Sequence, residues 1–336
     1  MSMTDSSHVP RFDTGPLSWV MSEIRDALVR SREALLEASV RGRDSQGTSL
    51  QHARAHLHQA HGALQMVDVD GVGTLTQAAE EALQRFRDGT LACDAASAQT
   101  VASLYQAVIE YLEELLSGAA PQPARLFPYY RDVQELLGVE RIHPSDLLFA
   151  DLSAPVALPA RTAVAAPDYA ASRARFEKNL LPFLKSTDAQ ARRAPAGALA
   201  EAVAEVEGAQ QEAAARTFWL AMRGFAQLAA SGQLAGDLYV KQLFGLINLQ
   251  IRRLSQGQGS LPEPMLRDAL FFVAAAPEPL DIALPLRRAY RLDGLVPHDY
   301  DTRRYGRIDA QALKEAREAL AQAQGIWDKV ATGIDP

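Results

Sequence analysis

The chain has 336 residues, 48% of them hydrophobic, with 41 acidic against 34 basic side chains and a formal net charge of −7. That much apolar material excludes a wholly disordered chain, and the length allows two or three domains of roughly 100–200 residues each. A single cysteine, Cys93, excludes a disulfide framework or a cysteine-rich zinc site and suits a reducing compartment, and the acidic balance argues against a nucleic-acid footprint.

The first residues, through Pro16, are polar and lack the apolar stretch of a secretory leader. No run of about 18 apolar residues occurs, and the most apolar stretch, Leu270 to Ala276, stops at Pro277. The expectation is a cytoplasmic protein with no membrane span.

Alanine, leucine, glutamate, glutamine and arginine dominate, and alternating β-branched runs are nearly missing, so the fold class is all-α. The best strand candidate, Val156 to Val164, is interrupted by Pro159. A first helix begins after Asp13-Thr14-Gly15-Pro16, a start signal with proline in the first turn, and ends at Gly42. Leu17, Val20, Met21, Ile24, Ala27, Leu28 and Leu35 give it one apolar face. A second begins near Thr48 or Ser49 and carries the seam Leu50, Ala53, Leu57, Ala60, Leu64 and Val67. A third covers about 74–87 and stops at Gly89; a fourth covers 95–116, burying Val101, Leu104, Val108, Leu112 and Leu115. Joined by short loops, these form an up-down four-helix bundle over 14–118.

A break at 119–123 and a short helix near 129–137 follow, and three prolines among small residues make 153–167 read as a linker, so that 119–167 connects two helical parts. The second helical bundle spans 168–331, with helices over about 169–186, 197–231, 236–255, 263–276 and 309–330. Pro182 is expected to kink or break the first of them. Trp219, Phe218, Phe225, Phe244 and Leu246 are expected to fill its core.

Four of the seven histidines, His52, His56, His58 and His61, lie on the second helix. At about 100° per residue, His58 and His61 share a ridge with Arg54 and Gln65, flanking the apolar seam, which exposes His58. His52 and His56 have the four-residue spacing of two metal ligands, but no nearby residue completes a set, and no cofactor or metal is expected. Cys93 sits before Asp94 at a helix start, where a dipole could lower a thiol pKa. The acid pairs Glu80-Glu81 and Glu113-Glu114 read as solvated helix faces, and Arg252-Arg253 with Lys241 as a basic patch complementing a helix end. His143 and His298 stand beside prolines, outside any helix interior.

The run from Leu57-His58-Gln59-Ala60-His61-Gly62 to Val67 resembles the histidine phosphotransfer (Hpt) signature, an exposed histidine on the second helix of a four-helix bundle, with lysine three residues later and glycine four later. In that chemistry an imidazole attacks an aspartyl phosphate on a receiver domain, a cation steadies the phosphoryl oxygens and glycine gives clearance. His58 matches the acceptor and Gly62 the glycine, whereas the lysine position holds His61. On this resemblance Arg54 and Gln65 frame the docking face for the receiver.

Leu17-Ser18-Trp19-Val20 with Glu23-Ile24, then His58 to Val67, then Leu270 to Pro277 occur in order. The set is similar to the N-terminal region of the CheA-like hybrid histidine kinases of type IV pilus chemosensory systems, the ChpA/PilL group. It is also similar to the related FimL-type regulators, which keep the bundles without a phosphoacceptor histidine. The resemblance implies a phosphorelay or scaffold segment in twitching-motility signalling, the N-terminal part of a histidine kinase with no catalytic activity of its own. Its partner would be a response-regulator receiver domain or another chemosensory protein. Three readings of the second helix stay open: phosphoacceptor at His58, a non-phosphorylatable FimL-like interaction scaffold, and metal binding.

Overall fold

The computed structural model describes residues 12–42, 45–67, 69–160, 165, 167–306, 318–321, 323–324 and 327. Among the described residues every regular element is helical and none is a strand. No helix there is long and apolar enough to cross a membrane. The first eleven residues, read above as lacking a leader, lie outside the described set, as do part of the predicted linker (161–164 and 166) and most of the helix expected over 309–330. The chain divides into two compact units. The described residues of 1–67, 76–119 and 302–336 form the first, and those of 68–75 and 120–301 the second.

In the first unit, α1 (Thr14–Val40) starts where the Asp13 carboxylate accepts the Gly15 N–H at 3.0 Å, an N-cap worth about 1 kcal/mol. Its Leu17, Met21, Ile24, Leu28 and Leu35 are buried, as the apolar spacing requires. α2 (Gln46–Leu64) begins slightly ahead of the expected Thr48 and buries the seam Leu50, Ala53, Leu57, Ala60 and Leu64. α3 (Val72–Arg87) and α4 (Ala95–Leu116) follow, the latter capped by Asp94 on the Ser97 N–H at 2.8 Å.

Cross-helix pairs fix the directions of these helices. Gln59 donates to Glu23 and the buried Ser31 hydroxyl donates to the Ala53 carbonyl at 2.7 Å, so α1 and α2 run antiparallel. Arg25 meets Glu113 at 2.5 Å and Arg32 meets Gln106 at 3.1 Å, which makes α1 and α4 antiparallel as well. Arg54 pairs with Glu80 and His61 with Thr76, so α3 runs against α2. The result is the up-down-up-down order. Residues after 301 also reach this unit: Tyr305 is buried, its hydroxyl donates to Glu114 at 2.9 Å, and the Gly306 N–H donates to Glu110 at 3.0 Å.

The second unit contains α5 (Phe127–Leu136), α6 (Tyr169–Lys185), α7 (Ala189–Gly208), α8 (Ala213–Ser231), α9 (Leu238–Ser255), α10 (Glu263–Ala275) and α11 (Leu284–Ala289). Residues 123–148, expected to connect the two helical parts, bury Leu126, Phe127, Tyr129, Val133, Leu147 and Leu148. α6 passes through Pro182 and ends at Lys185, three residues later, so the helical bond that the missing N–H removes lies in its last turn and only a short stretch of helix follows the proline. The single helix expected over 197–231 is two helices, α7 and α8. Glu207, buried, is ion-paired with Arg223 at 2.9 Å. Sixteen residues apart in one continuous helix, they would stand about 24 Å apart along its axis, so the chain must turn between them. α8 then ends on Gly232 at φ 81°, the left-handed C-terminal position that glycine occupies without a Cβ clash.

The core of this unit is aromatic. Phe244 of α9 touches Phe183 and Phe225 with ring centroids 4.8 Å away in each case, and Phe225 continues to Phe272 of α10 at 5.3 Å. Trp219, Phe218, Phe225 and Phe244 are buried as expected, whereas Leu246 is exposed, because Leu243, Phe244 and Ile247 already fill the inner face of α9. This contrast is measurable on one helix. Phe244→Ala should cost about 3–5 kcal/mol in denaturant unfolding of the full chain, while Leu249→Ala, at an exposed site, should change stability by less than about 0.5 kcal/mol.

Candidate functional site

Burial of the α2 seam against α1 sets the rotation of α2 and turns the ridge of Arg54, His58, His61 and Gln65 outward. His58 and Gln65 are exposed, and Arg54 and His61 are half-buried on the side of the ridge nearer α3. His61 Nδ1 lies 3.0 Å from the hydroxyl of the buried Thr76, and its Nε2 lies 3.2 Å from the Gln65 amide nitrogen. Both ring nitrogens of His61 are therefore engaged within the chain. Arg54 faces Glu80 at 3.5 Å. Thus the two ridge residues that could supply positive charge beside His58 are both turned toward α3.

Gly62 is exposed, and a Cβ placed there would meet nothing within 4 Å. Packing within the chain therefore does not require a glycine at this position. Next along α2 and across from it, Met66 and Trp19 are exposed, Trp19 to 84%. The antiparallel Glu23–Gln59 pair puts Trp19, one turn before Glu23, beside the C-terminal end of α2. His52 is exposed and His56 half-buried, and among the described residues no group of three or more His, Cys, Asp or Glu is arranged to hold a metal ion. Cys93 is buried, and burial with the neighbouring Asp94 carboxylate pushes its thiol up to about 11, which leaves no thiolate at neutral pH.

A second polar cluster, in the other unit, was not visible as such in the sequence. His143, Ser145 and Asp268 are all buried. His143 Nδ1 accepts the Ser145 N–H at 3.1 Å and lies 2.8 Å from its hydroxyl, while that hydroxyl donates to Asp268 at 2.5 Å. Arg141 reaches the same carboxylate at 2.6 Å, and the Asp146 carboxylate accepts the His143 N–H at 3.1 Å. The residue types are those of a hydrolase triad, but serine and aspartate both meet Nδ1, at 2.8 and 3.2 Å, instead of flanking the ring on its two nitrogens. The other ring nitrogen, Nε2, is buried without a hydrogen-bond partner among the described residues, and the ring is boxed edge-on by Tyr239, Phe271 and Phe272. No reacting atom can approach it. The cluster is a capping box closing a 3-10 turn at Pro144–Leu147. The signal was present in His143-Pro144-Ser145-Asp146, a cap residue, proline at the first helical position and an acid at the third.

Residues 161–303, which include α6 to α11, match a family model described as the second domain of the FimL scaffold protein. No curated protein and no solved structure matches the chain. This part of the chain is similar to one domain of a scaffold protein.

Burial, with Arg141 adding to it, pushes His143 down to about 3, against 6.5 for an ordinary histidine. The folded state therefore refuses a proton that the unfolded chain accepts, and the stabilisation present above pH 6.5 is lost as the pH falls. Between pH 6.5 and 5 the loss should be roughly 1–2 kcal/mol. Unfolding free energies of the wild type and His143→Phe, compared across that window, should converge as the pH falls. Parallel curves would show that His143 takes no part in the acid response.

Proposed function

We propose that the chain is a docking scaffold in type IV pilus-related signalling. The observation that carries this reading is the match of residues 161–303 to the second domain of the FimL scaffold protein. The site on α2 supports it. A phosphoryl group on His58 would bring a dianion to a surface whose nearest cationic candidates are otherwise engaged, Arg54 by Glu80 and His61 by Thr76 and Gln65. The same surface carries a largely exposed Trp19 beside Gly62 and Met66, and an aromatic of this kind is a common anchor at protein interfaces.

One observation favours phosphotransfer as a second reading. His58 is exposed on the second helix of an up-down bundle, with a glycine one turn on, in the Hpt arrangement. Phosphotransfer would then need Arg54 to leave Glu80, or His61 to release Thr76 and Gln65.

One experiment separates the two. The purified chain is incubated with a phosphorylated receiver domain of a pilus chemosensory system, alongside His58→Gln. On the scaffold reading no acid-labile phosphate appears on the wild-type chain. Label that appears and is absent from His58→Gln would overturn this reading in favour of a relay node.

A further inference from the structure

α6 and α9 carry Arg173, Arg175, Lys178, Lys185, Lys241, Arg252 and Arg253 against a single carboxylate, Glu177, in a chain whose net charge is −7. Three of the five lysines in the sequence are among them. Glu177 is committed to Arg173 and Asn248, and among the described residues Lys178, Lys185, Lys241 and Arg252 have no carboxylate partner. Charges of one sign left unpaired on two neighbouring helices create a local positive field that favours an anionic partner.

The same face is apolar at its centre. α6 and α9 pack antiparallel through Phe176 and Phe183 against Phe244, and through the Asn248–Glu177 hydrogen bond at 3.0 Å. That register sets Leu181, one turn past Glu177, level with Gly245. Leu181 is 55% exposed and Leu249 49%, and Leu238 is exposed as well. On α9, Leu238, Gln242, Gly245, Leu249 and Arg252 recur at spacings of four and three, so they form a single outward stripe opposite the buried Val240, Phe244, Ile247 and Ile251. A Cβ at Gly245 would meet nothing within 4 Å, so the stripe has a notch at its middle, level with Leu181.

We propose that the α6–α9 face binds an acidic amphipathic helix of a partner protein, with one bulky apolar side chain seated in the notch at Gly245 and carboxylates meeting Lys241 and Arg252. An outward stripe at three-and-four spacing, with Leu238 and Leu249 on either side of Gly245, suits one helix laid along another. A membrane interface instead favours aromatic residues and a broad apolar face, and this stripe has neither. The proposal deepens the scaffold reading and rests on it, since it names the chemistry of one docked partner.

The test uses the full chain and a fluorescein-labelled synthetic peptide with leucines at i, i+3, i+4 and i+7 flanked by glutamates. A lysine-flanked analogue and phosphatidylglycerol vesicles serve as comparisons. Fluorescence anisotropy should show the glutamate peptide binding at least about tenfold tighter than the lysine peptide. Gly245→Leu, which fills the notch, and Lys241→Glu/Arg252→Glu, which reverses the rim, should each weaken it about tenfold without lowering the melting temperature. Equal binding of the two peptides, or indifference to both variants, overturns the proposal. Vesicle binding that Gly245→Leu strengthens would assign the face to lipid instead. If the peptide fails while wild type and Gly245→Leu still co-purify with the same pilus-signalling proteins, the scaffold reading stands and this face is not its docking site.

Discussion

The α2 surface depends on one constraint, the burial of Leu50, Ala53, Leu57, Ala60 and Leu64 against the rest of the bundle. Each fully buried leucine stabilises by about 1.5–3 kcal/mol, whereas a surface ion pair such as Arg54–Glu80 contributes at most about 1 kcal/mol. The seam therefore decides how α2 is rotated about its axis, and the polar ridge takes the position that is left. Exposure of His58 follows from its place two residues before Ala60 and one after Leu57. No interaction made by the imidazole itself is needed to hold it there.

What the seam does not decide is where the ridge side chains point, and that decides the chemistry. Histidine and lysine at the third position after His58 differ in more than basicity. A lysine on a flexible four-carbon stem can swing its ammonium toward a phosphoryl group on the neighbouring turn. The imidazole of His61 is short and rigid, and its two nitrogens satisfy Thr76 on α3 and Gln65 on its own helix. Thr76 is buried, so recruiting His61 for another task would break a contact on the inner side of the ridge. His61 is thus part of the α2–α3 packing and not a mobile cation.

The first four helices were legible because their apolar residues recur at regular spacings between clear stops such as Gly89 and Gly118. Asp13 and Asp94 mark two of the starts as caps. The second unit was harder to read for a physical reason. Its short elements are held by aromatic contacts distant in sequence, among them Phe127 with Tyr239 and Phe271 with Tyr300, and no local period announces them. The turn between α7 and α8 likewise has no proline to mark it, and is enforced by the Glu207–Arg223 pair, which only the folded chain brings together. On the α2 ridge the sequence placed His58, His61, Gly62, Arg54 and Gln65 on the correct helix. The engagement of His61 with Thr76 and of Arg54 with Glu80 depends on α3, and no spacing within α2 encodes it.

Charge is distributed over the outward faces in a way that bears on docking. α2 holds one permanently charged side chain, Arg54, in its whole length. Its outer surface is glutamine, histidine, glycine and alanine beside an exposed tryptophan, so recognition there rests on apolar burial and neutral hydrogen bonds and is little affected by salt. The α6–α9 face is cationic, and a partner docked there as proposed would associate fast at low ionic strength and more weakly as salt is added. A scaffold holds two partners at once only if each rejects the other's seat, and discrimination of that kind is obtained more readily from unlike surface chemistry than from shape alone. On the scaffold reading, the α2 ridge, whose one permanent charge is paired with Glu80, and the basic groove of α6 and α9 are two such seats. Salt titration of partner binding would then affect the two unequally, with the larger loss at the basic groove.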